Sequence, residues 1–404
     1  MNKLNRRHFM VGASLTALQS GRVMGANDRI GVAVIGCGGR GLLGEVLQFS
    51  KESNVEVVAL CDTWKQHRET ASDKVKKSGA AEPKLFVHYQ EVLASPGVDA
   101  VLISTPDHQH CTQLSAAVKA KKDVYVEKPL AMDMKELLSA VDTVKRSDRI
   151  VQCGTQVRSW APSAAGRAFV SSGGLGKLFK IEQSRNGLHP YWDGEAARKV
   201  AEADVDWKAF LMNRRYRPWN ADQYAGWMGY REFSRGPHTQ FMAHFIDLIH
   251  FVTGASYPDR VIAMGGTFRW KDARTAPDSI EVVLEYKEGF LVRYNSAFGT
   301  DTNSFLKFFG TRGVMDATRW INPWVISGEG LTDPDRIAAG AKIPEMPSTP
   351  HMKNWFDCMR SRQQPAAPIE TGYGHSVACI MADESFLRGR RMVHDPAKRS
   401  IHEG

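Results

Sequence analysis

Gly36, Gly38 and Gly41 of the segment GCGGRG stand in the spacing G-x-G-x-x-G, directly after the apolar run IGVAVIG that begins at Ile30. A strand that ends in such a turn and leads into a helix can hold a pyrophosphate. The first glycine makes the turn and the second lets the backbone approach the anion. The third lets helix and strand pack closely, and the helix N-terminus carries partial positive charge. Asp62 ends the next apolar run, VEVVALCD. It lies about 20 residues beyond the turn, where a carboxylate accepts from a ribose 2′-hydroxyl. This favours NAD. Arg40, Thr63 and Lys65 can instead accommodate a 2′-phosphate, so NADP stays open. Lys128 closes the run KDVYVEKP at the carboxyl end of an expected parallel strand, where open α/β sheets bind ligands.

The elements that must position these residues show in the hydrophobic pattern. The runs beginning at Ile30 and spanning Val55 to Asp62, Val98 to Pro106 and Lys122 to Pro129 read as buried parallel strands. Helical patterns lie between and after them, at Leu42 to Lys51, Trp64 to Ser78, His108 to Ala120 and Met134 to Arg146. This alternation predicts a doubly wound parallel sheet, closed by Ile150 to Gln156. Beyond Gln156 the pattern changes. A helix at Pro162 to Ser171 and the strand KLFKIEQSR precede an irregular stretch, Gly187 to Arg235. A helix at His238 to Val252 follows, then strand-like runs from Arg260 to Ala317 with a turn at Lys287 to Gly289. Helices at His351 to Arg362 and His375 to Arg388 close the chain. The expected class is α/β. An N-terminal Rossmann domain (residues 27–152) precedes a C-terminal α+β domain (153–404) with a large, mostly antiparallel sheet. One face of that sheet needs a helix or a second subunit to cover it, which predicts a homodimer or homotetramer.

Three further segments complete a set. STPDHQH ends the third run, EKP ends the fourth, and HFIDLIHFVTG begins a later helix. With the glycine motif, VDWKAFL, HMKNWFDCMRSRQQP and ETGYGHS, they resemble the Gfo/Idh/MocA family, named for glucose–fructose oxidoreductase and inositol dehydrogenase. The resemblance runs over nearly all of the chain beyond residue 26. It implies an NAD(P)-dependent oxidoreductase that moves a hydride to or from a hydroxyl or carbonyl carbon of a sugar, glycoside or polyol. Such chemistry needs a base for the hydroxyl proton and a positive group for the developing alkoxide.

By the resemblance, Lys128 contacts the nicotinamide ribose and the substrate hydroxyl, Glu127 shapes the nicotinamide pocket and Pro129 fixes the loop. Thr105 and Pro106 pack on the dinucleotide, and His110 opens the next helix beside it. Gln156 and Arg158 face the nicotinamide side, although Arg158 suits an interdomain ion pair equally well. Asp107 suits a helix N-cap as well as a functional role. Inositol-dehydrogenase-like members carry an Asp, a His four residues on and an Asp three further on. Here those positions hold Gln240, His244 and Asp247. His244 is the expected base, and the i to i+3 spacing lets Asp247 orient its ring. Gln240 cannot ionise, which leaves the substrate and the direction of reaction open. His250, between Ile249 and Phe251, reads as structural.

Two alternatives come with the same residues. Some family members use bound NAD for redox-neutral glycoside cleavage. A non-catalytic nucleotide-binding sensor is the other, and Lys128 together with His244 argues against it. The segment from Gly187 to Arg235 is rich in Trp, Tyr and Arg, which suits either a sugar site or a loop packed onto itself. His189 and Tyr191 are its candidate substrate contacts.

Arg6 and Arg7, followed by Phe9 and a short apolar stretch from Val11 to Leu18, read as a twin-arginine signal over residues 1–26. This predicts export of folded protein to the periplasm. The chain carries a formal +9, of which residues 1–26 hold four positive charges and no acid. The remaining charge is scattered and not interleaved with aromatics, which argues against nucleic acid. No apolar run reaches membrane-spanning length. The six cysteines show no CxxC pairing, so no metal is expected.

Overall fold

The computed structural model describes residues 28–39, 42–190 and 199–404, the side chains of 237 and 238 excepted. The expected signal segment therefore lies outside the described residues. Strands β1 (Ile30–Ile35), β2 (Val55–Cys61), β3 (Lys84–Phe86), β4 (Ala100–Ile103), β5 (Asp123–Glu127) and β6 (Val151–Gly154) form one sheet. Its order is β3-β2-β1-β4-β5-β6, and every pair is parallel. These strands are apolar on both faces because helices cover both: α1 (Leu42–Ser50), α2 (Lys65–Lys77), α3 (Tyr89–Ala94), α4 (His110–Lys119) and α5 (Met134–Lys145). β3 is absent from the sequence reading because three half-polar residues make no hydrophobic run. The strand order reverses between β1 and β4, which opens a crevice at their carboxyl ends.

Helix α6 (Ala161–Ser171) leads into β7 (Leu178–Ser184), the first strand of a second sheet. After it come short helices α7 (Trp207–Leu211), α8 (Ala221–Ala225) and α9 (Pro237–Gln240), then α10 (Met242–Thr253). The sheet continues with β8 (Arg260–Gly266), β9 (Ser279–Tyr286), β10 (Phe290–Ala297), β11 (Phe305–Gly310), β12 (Gly313–Asp316) and β13 (Val325–Ser327). Helices α11 (His351–Ser361) and α12 (Ile369–Arg388) precede β14 (Met392–Asp395) and β15 (Ser400–Glu403). The nine strands run β13-β12-β11-β7-β10-β9-β8-β14-β15, with β7 and β10 parallel and the other pairs antiparallel. Strict alternation in β9 buries Ile280, Val282, Leu284 and Tyr286 on the helix-covered face. Ile262, Met264, Val283 and Leu291 are exposed. No helix among the described residues is long and apolar enough to cross a membrane.

Three departures from the sequence reading bear on the site. The helix expected from His238 to Val252 is two helices, with Phe241 between α9 and α10. α12 starts at Ile369, six residues early, because its glycines serve packing rather than a loop. A Cβ on Gly372 would stand 2.6 Å from Leu130 and 2.7 Å from the Cys153 sulfur. α11, from the expected second domain, packs into the core of the first. Met352, Trp355 and Phe356 are buried with Val32, Val34 and Leu60, and Arg360 donates to the carbonyl oxygens of Ser53 and Asn54.

Candidate active site

The glycine turn sits where β1 meets β4. Gly36 has φ of +89°, and a Cβ there would lie 2.7 Å from backbone atoms of Ser104. Only glycine allows both the backbone conformation and the close approach. Asp62 braces the turn: its Oδ2 accepts from the Cys37 amide at 2.8 Å and its Oδ1 from the Trp64 amide at 2.9 Å. His67 Nδ1 lies 3.2 Å from Oδ2. Asp62 thus holds the glycine turn as well as facing the crevice, a second duty the spacing did not show. Arg40 and Gly41 lie outside the described residues.

A cavity of about 920 Å³ fills the crevice, near the top of the ~300–1,000 Å³ range of ligand pockets. Gly36, Gly38, Asp62 and Thr63 line one end, Thr105, Pro106 and His110 the middle, and Glu127, Lys128 and Gln240 the other. An elongated cavity with bare backbone at a helix-opening turn and polar side chains at its far end fits a dinucleotide. His110 links the loops after β4 and β5, with Nδ1 2.8 Å from the Pro129 carbonyl oxygen and Nε2 2.7 Å from that of Thr105.

The far wall comes from residues 199–235 of the aromatic-rich segment, which fold as a strap across the cavity. Its residues Val200, Val205, Trp207, Phe210, Leu211, Tyr224, Tyr230 and Phe233 form a small core of their own, with Trp64 packed against it. Loop packing alone accounts for Trp207, while Phe210, Tyr224 and Trp227 belong to or pack against the same small core and also line the cavity. The strap is pinned to the Rossmann domain by backbone and side chain. The Asp206 amide donates to Thr63 O at 3.0 Å, and Gln109 Nε2 donates to Phe210 O at 2.7 Å. Arg231 forms an ion pair with buried Asp383 on α12.

His108 adds a pH-sensitive pin. Its Nε2 lies 2.9 Å from Phe210 O, and burial pushes its pKa down to about 3. The folded state therefore holds it neutral, whereas an unfolded histidine titrates near ~6.5. Its contribution is complete above about pH 6.5 and is lost as pH falls toward the folded value, costing about 2 kcal/mol by pH 5. Amide exchange at Phe210 and Leu211 should accelerate between pH 7 and pH 5 beyond the change in intrinsic rate. Protection that stays constant over that range would count against the pin.

At the other end, Lys128 Nζ donates to Gln240 O at 3.0 Å and to Gln240 Oε1 at 3.2 Å. The Lys128–Pro129 peptide is cis. Glu127 is buried, and its Oε1 accepts from Gln156 Nε2 at 2.8 Å. Gln156 also donates to the Tyr125 hydroxyl. It is not part of the cavity wall and acts by holding Glu127.

Several of the expected roles differ in the structure. Asp247 does not orient His244 or face a substrate. It is 1% exposed and accepts from Arg158 Nε at 2.9 Å and Nη2 at 2.6 Å. A carboxylate this deeply buried requires a charged partner. Arg158 is accordingly the ion pair and not a ligand contact. His244 lies on α10, beyond the break at Phe241, and is not among the residues lining the cavity. His189 is exposed and stands beside Trp270 outside the cavity. Tyr191 lies outside the described residues. His250 is structural as expected, with Nε2 2.9 Å from the Tyr286 hydroxyl. Asp107, weighed as a cap, does not hold the N-cap position, which Pro106 occupies. Both its oxygens accept from Gln240 Nε2 instead. Its place inside STPDHQH was the only signal for it.

The arrangement offers a dinucleotide-sized cavity with an ammonium group at its inner end. Residues 30–155 match the sequence profile described as the oxidoreductase family, NAD-binding Rossmann fold. Residues 209–316 match that of the GFO/IDH/MocA C-terminal domain. A glycosyl hydrolase family 109 protein of Shewanella pealeana is 31% identical over 175 residues, covering 36% of this chain and 38% of that protein. The chain thus matches well under two thirds of that relative's length. Among solved structures, the aldose-aldose oxidoreductase of Caulobacter crescentus complexed with glycerol has TM-score 0.69 at 17% identity, over 90% of this chain and 99% of that one. The WlbA dehydrogenase of Bordetella pertussis, in complex with NADH and UDP-GlcNAcA, has TM-score 0.67 at 17% identity, over 91% and 99%. These two likenesses bear on the fold. With the two family profiles together matching more than half of the 404 residues, and the glycine turn and EKP loop at one cavity, the chain belongs to the Gfo/Idh/MocA oxidoreductases and carries their NAD-binding Rossmann domain.

Proposed function

We propose that this protein moves a hydride to or from a hydroxyl or carbonyl carbon of a sugar, glycoside or polyol, and keeps its nicotinamide through turnover. The observation that carries the reading is Lys128 Nζ at the inner end of the dinucleotide cavity, held by the two oxygens of Gln240. When bound, the nicotinamide supplies the hydride acceptor or donor. Lys128 orients the reacting oxygen and stabilises negative charge on it. Glu127, fixed by Gln156, shapes the same end. The strap from 199 to 235 covers the cavity and slows exchange of what it holds.

Retention of the cofactor suits the twin-arginine reading of Arg6 and Arg7, under which the folded protein is exported to a compartment with little free NAD. The exposed apolar residues Ile262, Met264, Val283 and Leu291 suit a homodimer or homotetramer closed across the outer face of the second sheet. A second reading is redox-neutral glycoside cleavage with the same bound NAD, and the likeness to a glycosyl hydrolase family 109 protein favours it.

One experiment separates these readings. The purified protein is dialysed exhaustively and assayed without added cofactor, against paired sugar donors and acceptors and against chromogenic glycosides. Reduction of the acceptor, with a nicotinamide nucleotide released on denaturation, is the expected result. Aglycone release without net NADH would select the second reading. A protein that emerges free of nucleotide and works only with added NAD would overturn the retained cofactor.

A further inference from the structure

Asp107 is 3% exposed and stands at the carboxyl end of β4, one face of it toward the inner end of the cavity. Both of its oxygens lie 2.6 Å from Gln240 Nε2. The opposite end of the same amide, Oε1, accepts from Lys128 Nζ at 3.2 Å. A glutamine amide is polar in one direction only: its nitrogen donates and its oxygen accepts. Asp107 as a carboxylate can only accept, so it decides which end of the amide faces it. The remaining end must then present an oxygen to the Lys128 ammonium, which only donates. Reversing the amide would set N–H donors against the ammonium and a carbonyl oxygen against the carboxylate.

We infer that Asp107 is a positioning residue for Lys128: through the Gln240 amide it fixes the acceptor that holds Nζ at the inner end of the dinucleotide cavity, and it supplies the negative charge that Gln240 itself cannot carry. The effect on turnover rests on the proposed function; the placement of Lys128 does not. A carboxylate at this depth persists only with partners on every side. Gln240 from α9 is one, and it also donates to Ser234 Oγ at 3.3 Å. His110 on α4 and Lys128 after β5 supply positive charge, and Ser234 supplies a hydrogen bond. Burial pushes the Asp107 carboxyl upward, and these four groups oppose that rise. On α12, Cys379 feels both Asp107 and Lys128 and His375 feels Lys128, and the Glu127 carboxylate accepts from the Lys128 amide at 3.3 Å.

The test reads Lys128 directly. The full-length protein, with whatever nucleotide it retains, is labelled with trace acetic anhydride across a pH series. Acetylation of the Lys128 peptide is followed by mass spectrometry, with the other lysines as internal controls. Asp107→Asn keeps the size of the side chain and removes its charge. Its Lys128 labelling midpoint should move down by about one pH unit, the scale of losing a nearby opposite charge. The control lysines should not move. Gln240→Glu alone sets two carboxylates against each other. Adding Asp107→Asn restores a donor at 107 and places a carboxylate directly on Lys128. The Asp107→Asn/Gln240→Glu double variant should therefore return the midpoint to the wild-type value or above.

Turnover should follow the same order, with kcat reduced about tenfold in Asp107→Asn, KM little changed, and recovery in the double variant. An unshifted Lys128 midpoint in folded Asp107→Asn overturns the inference. So does a double variant whose Lys128 midpoint stays below the wild-type value, an outcome that also carries the test alone if Asp107→Asn does not fold. Shifted labelling in a protein that turns over no sugar would sustain the placement and defeat the functional reading.

Discussion

Lys128→Met should lower turnover by about 10²- to 10⁴-fold, the range for a positioned group that handles charge or a proton at the reacting atom, while fold and bound nucleotide persist. Methionine keeps the unbranched apolar stem and removes only the ammonium. The stem therefore still fills its place beside Gln240, whereas the donor to Gln240 O and Oε1 is gone. Under the proposed function nucleotide should stay, because the groups that would hold it are elsewhere: the Gly36 turn, the Asp62 brace and the strap. Single-turnover change in nicotinamide absorbance measures the chemical step, and nucleotide released on denaturation measures retention. Turnover near that of the wild type would remove Lys128 from the chemistry.

Arg158→Ala should cost about 3–5 kcal/mol of stability, the scale of breaking a buried ion pair by removing one partner. The pair is bidentate, with side-chain exposures of 11% and 1% for Arg158 and Asp247. Arg158 also donates to Ala366 O at 2.8 Å and lies over the Phe251 ring. One guanidinium thus joins the turn after β6, helix α10 and the segment between α11 and α12. Burial pushes the Asp247 carboxyl upward, and Arg158 is the charge that opposes it. Without Arg158 the carboxyl either stays ionised and unpaired or takes a proton, and both outcomes favour unfolding. Denaturant titration reads the loss, and Asp247→Leu with Arg158→Met should recover part of it. A loss below about 1 kcal/mol would place the pair in the weak class of exposed salt bridges. The folded fraction of Arg158→Ala should keep the wild-type kcat, since the pair is not part of the cavity wall. A kcat defect without destabilisation would restore Arg158 as a contact on the nicotinamide side.

Lys128 and Arg158 stand on opposite sides of what an amino-acid sequence can show. Lys128 was legible because its position follows from local pattern: a strand-length apolar run, then EKP, at the end of the sheet where ligands bind. Arg158 and Asp247 were legible only as residues with charge. Their partnership spans 89 positions, and nothing in either neighbourhood names the other. Helical spacing placed Asp247 near His244 on paper. The deciding factor was what lies across from the helix, because a buried carboxylate turns toward the nearest cation. The strap repeats the lesson. Its Trp and Tyr content was visible, yet whether those rings face a ligand or one another depends on the bridge between Trp64 and Val205 and on the bonds to Phe210 O.

By itself, then, the amino-acid sequence determined the parallel sheet, the glycine turn with Asp62, the alternating strands of the second sheet and the family, since each is written in short-range periodicity and spacing. Only the tertiary structure decided that α11 completes the Rossmann core, that Asp247 turns to Arg158, and that Asp107 reaches Lys128 through Gln240. The Asp107–Gln240 contact joins residues 133 apart. Hydrophobic periodicity says which face of an element is buried, but burial is not directional. Which polar groups meet inside is settled by the packing of distant elements and by the requirement that each buried donor and acceptor find a partner.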